Sequence, residues 1–109
     1  MIRGTTPTFK LKIADANLDL REARNIYATF EQGSTELTKT GEDLELTVTQ
    51  VEDVYQNEVD VFLSQAESLL FKAGNIYCQL NWTYNNGTRA CSNIISIKVG
   101  SNLIEEVLQ

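Results

Sequence analysis

Apolar side chains recur at every second position in several short runs, and that period fits a strand with one wet face rather than a helix. Phe9, Leu11 and Ile13 alternate with Lys10 and Lys12, and Ile26, Ala28 and Phe30 alternate with Asn25, Tyr27 and Thr29. Gln32-Gly33 then offers a turn into a weaker strand at about 35 to 40. Leu44, Leu46 and Val48 repeat the pattern, as do Val59, Val61 and Leu63. Each run is short and bounded by turn residues.

The strongest hairpin signal lies near the end, where Ile76, Cys78, Leu80, Trp82 and Tyr84 share a face and Asn86-Gly87 follows. A two-residue turn with both residues at positive φ would pair Asn85 with Thr88. It would then set Trp82 against Cys91, Leu80 against Asn93 and Cys78 against Ile95. That register puts both cysteines on one face, four residues apart, and at about 3.4 Å per residue they are too distant to bridge. Reduced thiols are expected.

One helical turn interrupts the strands. Ser64-Gln65-Ala66-Glu67 has capping-box spacing, Leu69, Leu70 and Phe71 supply its apolar side, and Gly74 is placed to end it. About seven short strands, this turn before the penultimate strand and no βαβ spacing predict an all-β, immunoglobulin-like Greek-key sandwich. At 109 residues the chain is expected to form one domain, with an N-terminal arm over 1–8 and a docking segment over 101–109.

Composition narrows the chemistry. Histidine is absent, which removes imidazole bases, histidine triads and imidazole metal sites, and no cofactor is expected. The acidic residues Asp43, Glu45, Glu52, Asp53, Glu58 and Asp60 fall at strand edges or loops and read as solvated carboxylates rather than a glycosidase pair. Asp15-Ala16-Asn17-Leu18-Asp19 opens like a calcium loop, but Leu20 and Ile26 occupy the positions that need glycine and a bidentate glutamate. Asn81-Trp82-Thr83 and Asn86-Gly87-Thr88 match glycosylation acceptors, yet strand and turn roles already account for them. A net charge of −6 disfavours nucleic acid and anionic membrane surfaces as partners. No apolar run has signal-peptide or membrane-spanning length, so synthesis in the cytoplasm is expected. Trp82, Tyr77 and Tyr55 would serve a carbohydrate-binding module for cell-wall glycans if their rings were exposed, and this is the alternative function.

The two ends point to binding. Asn102 to Gln109 reads as a short amphipathic helix with Asn102 as cap, Glu105 three residues on, and Leu103, Ile104, Val107 and Leu108 as its stripe. So short a helix is unstable alone, so the stripe must dock on its own sandwich or on a neighbouring chain. Ile2, Arg3 and Pro7 lie in an arm that Pro7 biases toward extension, suited to lying along a partner.

The opening Met1-Ile2-Arg3-Gly4-Thr5-Thr6-Pro7-Thr8, the middle segment Leu63 to Phe71 and the close from Val99 to Leu108 resemble small structural proteins of phage and prophage tails and baseplates of Gram-positive bacteria. Order and spacing agree over nearly the whole chain. The resemblance implies a virion component without catalytic activity, with a sandwich like the N-terminal domain of baseplate upper proteins. Its implied partners are other tail or baseplate proteins, or further copies in a homo-oligomer. The chain departs from that pattern at Ala66, where an acidic residue is expected, and over Gln50 to Asn57, which looks longer than the family's turn.

Overall fold

Each alternating run becomes a strand in the computed structural model of the chain, which describes residues 1–109. In order these are β1 (Thr8–Asp15), β2 (Asn25–Gln32), β3 (Thr35–Thr40), β4 (Leu44–Val51), β5 (Val54–Phe62), β6 (Gly74–Thr83), β7 (Arg89–Cys91) and β8 (Ile95–Val99). A single helical turn, α1 (Gln65–Ser68), separates β5 from β6. The strands form two antiparallel sheets, β1-β5-β4 and β3-β2-β6-β7, with β8 also pairing β6. The chain thus builds the expected all-β sandwich, and β7 and β8 are two halves of the expected last strand. One strand sits differently from a constant-type immunoglobulin domain, whose second strand joins the first, fifth and fourth. Here β2 lies between β3 and β6, which leaves β1 directly against β5.

Alternation decides which side chains meet between the sheets. Val59 and Val61 of β5 face Ala28 and Phe30 of β2 and Ile76, Cys78, Leu80 and Trp82 of β6 within one buried cluster. Phe30 lies 5.4 Å from the ring of Phe9 and 6.5 Å from that of Phe71, so a single aromatic row links β1, β2 and the segment after α1. Each such fully buried side chain contributes roughly 1.5–3 kcal/mol relative to exposure.

One inward position of β5 is polar. Asn57 is 1% exposed, yet its amide group is well used: Oδ1 accepts from the Leu20 amide at 2.9 Å, and Nδ2 donates to Leu18 O at 2.9 Å and Ile13 O at 3.1 Å. These bonds fix the connection by which the chain leaves β1 for the other sheet, and they satisfy backbone groups that burial would otherwise orphan.

The turns explain the register. Gly33-Ser34, with φ +57° at Gly33, joins β2 to β3 as a two-residue loop. Glu52-Asp53 joins β4 to β5 with φ of 51° and 65°, a type I′ geometry adopted here without glycine. The stretch Gln50 to Asn57, expected to be longer than the family's turn, is the tip of a regular hairpin closed by two residues. The last hairpin differs from its expected form. Its loop has three residues, because Tyr84 N bonds Thr88 O and Gly87 N bonds Tyr84 O, each at 3.0 Å, and only Gly87 has positive φ (+85°). This is a type I turn closed by a left-handed glycine.

The pairing consequently shifts by one, with Trp82 opposite Ala90 and Asn81 opposite Cys91. A bulge over Ser92–Ile94 sets three residues against Gln79 and Leu80, and restores the expected pairing of Cys78 with Ile95. Ser92 holds the bulge: its Oγ accepts from Leu80 N at 3.0 Å and its carbonyl from Gln79 Nε2 at 2.9 Å. The shift also corrects the cysteines, which lie on opposite faces, Cys78 buried and Cys91 exposed. Burial pushes the Cys78 thiol up to about 11.

Candidate interaction site at the chain termini

The pole of the sandwich around α1 is where both ends of the chain meet. Ser64 Oγ accepts from Glu67 N at 3.2 Å and the Glu67 carboxylate accepts from Ser64 N at 2.9 Å, which completes the capping box read from the sequence. The same carboxylate takes two 2.7 Å bonds from Lys39, an inward-facing cation of β3. Burial works to raise the Glu67 pKa, but the bonds from Lys39 and Ser64 together outweigh it and hold the carboxyl below its ordinary value.

The segment that follows α1 leaves the Leu69 and Phe71 carbonyls without backbone partners, and Arg3 reaches them from the arm. Its Nε donates to Phe71 O at 2.5 Å and its Nη2 to Leu69 O at 3.0 Å, while Nη1 pairs with the Glu105 carboxylate. One guanidinium thus joins the arm, the end of α1 and the C-terminal segment, a fork geometry that lysine lacks. Backbone pairing backs it: Ile2 and Gly100 form a parallel bridge, Arg3 N bonds Gly100 O at 3.0 Å, and Gly100 N bonds Met1 O at 2.7 Å. A Cβ at Gly100 would stand 2.8 Å from Cδ1 of Ile2, the end of a half-exposed side chain that can turn aside. Pro7 takes the Leu63 amide at 3.0 Å and leads the arm into β1.

The C-terminal segment is not the helix expected from its stripe. Asn102 behaves as a cap, with Oδ1 accepting from Ile104 N and its own amide donating to Glu105 Oε1, both at 3.2 Å, but no helix follows. Tertiary bonds outcompete a turn that eight residues cannot sustain. Asn102 Nδ2 donates to Arg3 O at 3.0 Å, and Gln65 clasps Leu108 at both its carbonyl (2.9 Å) and its amide (2.7 Å). The segment therefore follows a bent, non-helical path tied to the arm and α1.

Of the residues expected to contact partners, Arg3 and Pro7 are partly buried and bonded within the chain, Arg3 through its side chain and Pro7 through its carbonyl. Ile2, Leu103, Ile104, Val107 and Leu108 remain exposed: Leu103 is wholly so and the others are about half exposed. Leu70, half exposed beside α1, joins the same pole. Sequence reasoning missed Gln65 and the Leu69 and Phe71 carbonyls. The lone cation of the arm, together with a short segment after a one-turn helix whose carbonyls need donors, was the available signal.

Several of the other candidate groups are occupied structurally, while the Tyr77 ring is half exposed. Asp15 Oδ1 accepts from Asn17 N at 2.7 Å, and Asp19 caps the 3₁₀ turn Leu20–Glu22 while gripping Arg21. Trp82 is 4% exposed and donates Nε1 to Tyr84 Oη at 3.1 Å, so its ring is closed to a stacking sugar. On the outer face of β2 and β6, a shallow depression of about 330 Å³ is lined by Tyr27 and polar side chains, and its Arg89 already donates to Asn81 Oδ1. No helix is long and apolar enough to cross a membrane. No family model, curated protein or solved structure matches the chain.

Proposed function

We propose that this chain is a non-enzymatic structural or adaptor protein of a phage tail or baseplate, acting through protein–protein contacts at its terminal pole. The observation that carries the binding role is the set of exposed apolar side chains there, Ile2, Leu70, Leu103, Ile104, Val107 and Leu108, on a backbone held by Arg3 and Gln65. Apolar side chains gathered at one place on a small protein are a feature of interaction surfaces, and a backbone already fixed loses less entropy on binding. The phage context comes from the likeness of the opening, the middle segment and the close to tail and baseplate proteins. On this reading the protein is made in the bacterial cytoplasm and resides in the virion, bound to neighbouring tail proteins or to its own copies.

Light scattering of the purified chain, alone and mixed with the products of neighbouring tail genes, tests the proposal. A complex heavier than the monomer is expected, and Leu103→Asp with Val107→Asp should abolish it while leaving the fold intact, because both side chains are exposed. A chain that stays monomeric with every tail protein, or a complex untouched by these substitutions, overturns it.

A further inference from the structure

Two open sheets present four edges, and three of them carry devices that discourage pairing. β1 bears Lys10 and Lys12. β3 is six residues long and turns the cation Lys39 inward. The last edge is broken by the Ser92–Ile94 bulge and covered at its end by the arm, where Met1 donates to Lys98 O at 2.8 Å. β4 has none of these. Its eight residues, Leu-Glu-Leu-Thr-Val-Thr-Gln-Val, pair without interruption along β5 and include no lysine, proline or bulge. Apart from the Leu44 amide, which closes the preceding 3₁₀ turn on Gly41, no backbone group of β4 is bonded to anything but β5.

The charges around this edge select its occupant. Glu42, Asp43 and Glu45 flank one end and Glu52 and Asp53 the other, all exposed and none in an ion pair. The lysines of β1 are engaged chiefly by β5, Lys10 lying 3.3 Å from Asp60 and Lys12 3.8 Å from Glu58, and only Lys10 also acts on one of these groups, Glu45. A second copy fits poorly. Antiparallel β4 strands that keep like faces together would bring Glu42 or Asp43 of one copy opposite Glu52 or Asp53 of the other, and like charges directly opposite are destabilising. We infer that the free edge of β4 docks an extended segment of another protein, β-branched in its middle and basic at both ends. Main-chain bonds along β4 supply the affinity, and the acidic ends set orientation and register.

This surface is separate from the exposed side chains of the terminal pole, so either can fail without the other. The test uses the full chain and a labelled peptide, Lys-Lys-Thr-Val-Thr-Val-Thr-Lys-Lys, with a glutamate-ended counterpart as control, followed by fluorescence anisotropy. Saturable binding of the lysine peptide that weakens with added salt, and none of the glutamate peptide, is the expected result. Thr47→Lys with Thr49→Lys, both exposed positions, should abolish binding with the denaturation midpoint preserved. Glu42→Lys with Asp53→Lys, outside the strand, should weaken it on the order of tenfold or more. Absence of binding, binding indifferent to both variants, or a self-associated chain whose contact the Thr47/Thr49 variant breaks would overturn the inference.

Discussion

Glu67 does more than its place in a one-turn helix suggests. It closes the capping box and also neutralises Lys39, a cation that β3 turns inward. Because the folded carboxyl titrates below its ordinary value, its contribution to stability is present above the unfolded-state pKa and is lost as pH falls through the depressed folded value. Urea denaturation from pH 7 downward should therefore show a stability gap between the native chain and Glu67→Gln that narrows with acidity. A gap of constant size would mean that the charge of Glu67 is irrelevant. The box itself was legible in the sequence because Ser64 and Glu67 have fixed spacing. The bond to Lys39 was not, since it depends on how β3 lies against α1, and no local pattern reports that.

At the scale of elements, alternation located β1, β2, β4, β5 and β6, because facing positions of a sandwich must be apolar two apart, whereas β3 and the last strand were read from the turns that precede them. Chain ends and turns were harder. The Asn86-Gly87 dipeptide signalled a turn but not its length, and the three-residue loop displaced the expected pairing until the Ser92 bulge restored it. Gln50 to Asn57 carries no glycine, yet Glu52 and Asp53 take left-handed backbone in a type I′ turn. That conformation costs roughly 1–2 kcal/mol for a residue with a Cβ. Replacing the pair by Asn-Gly should raise stability by about 1 kcal/mol without moving the strands, measurable in the denaturation midpoint. A loss of stability would show that the tip is held by something other than its own turn geometry.

For the whole molecule, the terminal pole shows how far local reading extends. Leu103, Ile104, Val107 and Leu108 were found from their spacing and do lie exposed, but the helix implied by that spacing is replaced by a bent, non-helical path tied to the arm. The decisive contacts join residues distant in sequence: Arg3 to Leu69, Phe71 and Glu105, and Gln65 to Leu108. Strand order was equally hidden, because alternation gives the faces of β2 but not its neighbours.

The parallel bridge between Ile2 and Gly100 has a consequence in time. Met1 and Lys98, which bond beside it, are 97 residues apart, so closing this pole before the sheets exist would carry a large loop entropy for few contacts. The arm should be the last part to settle, held by interactions absent from the rate-limiting step. Stopped-flow measurements on Arg3→Ala should then show faster unfolding with an unaltered refolding rate. Slower refolding would place the two ends together at the start of the reaction instead of at its close.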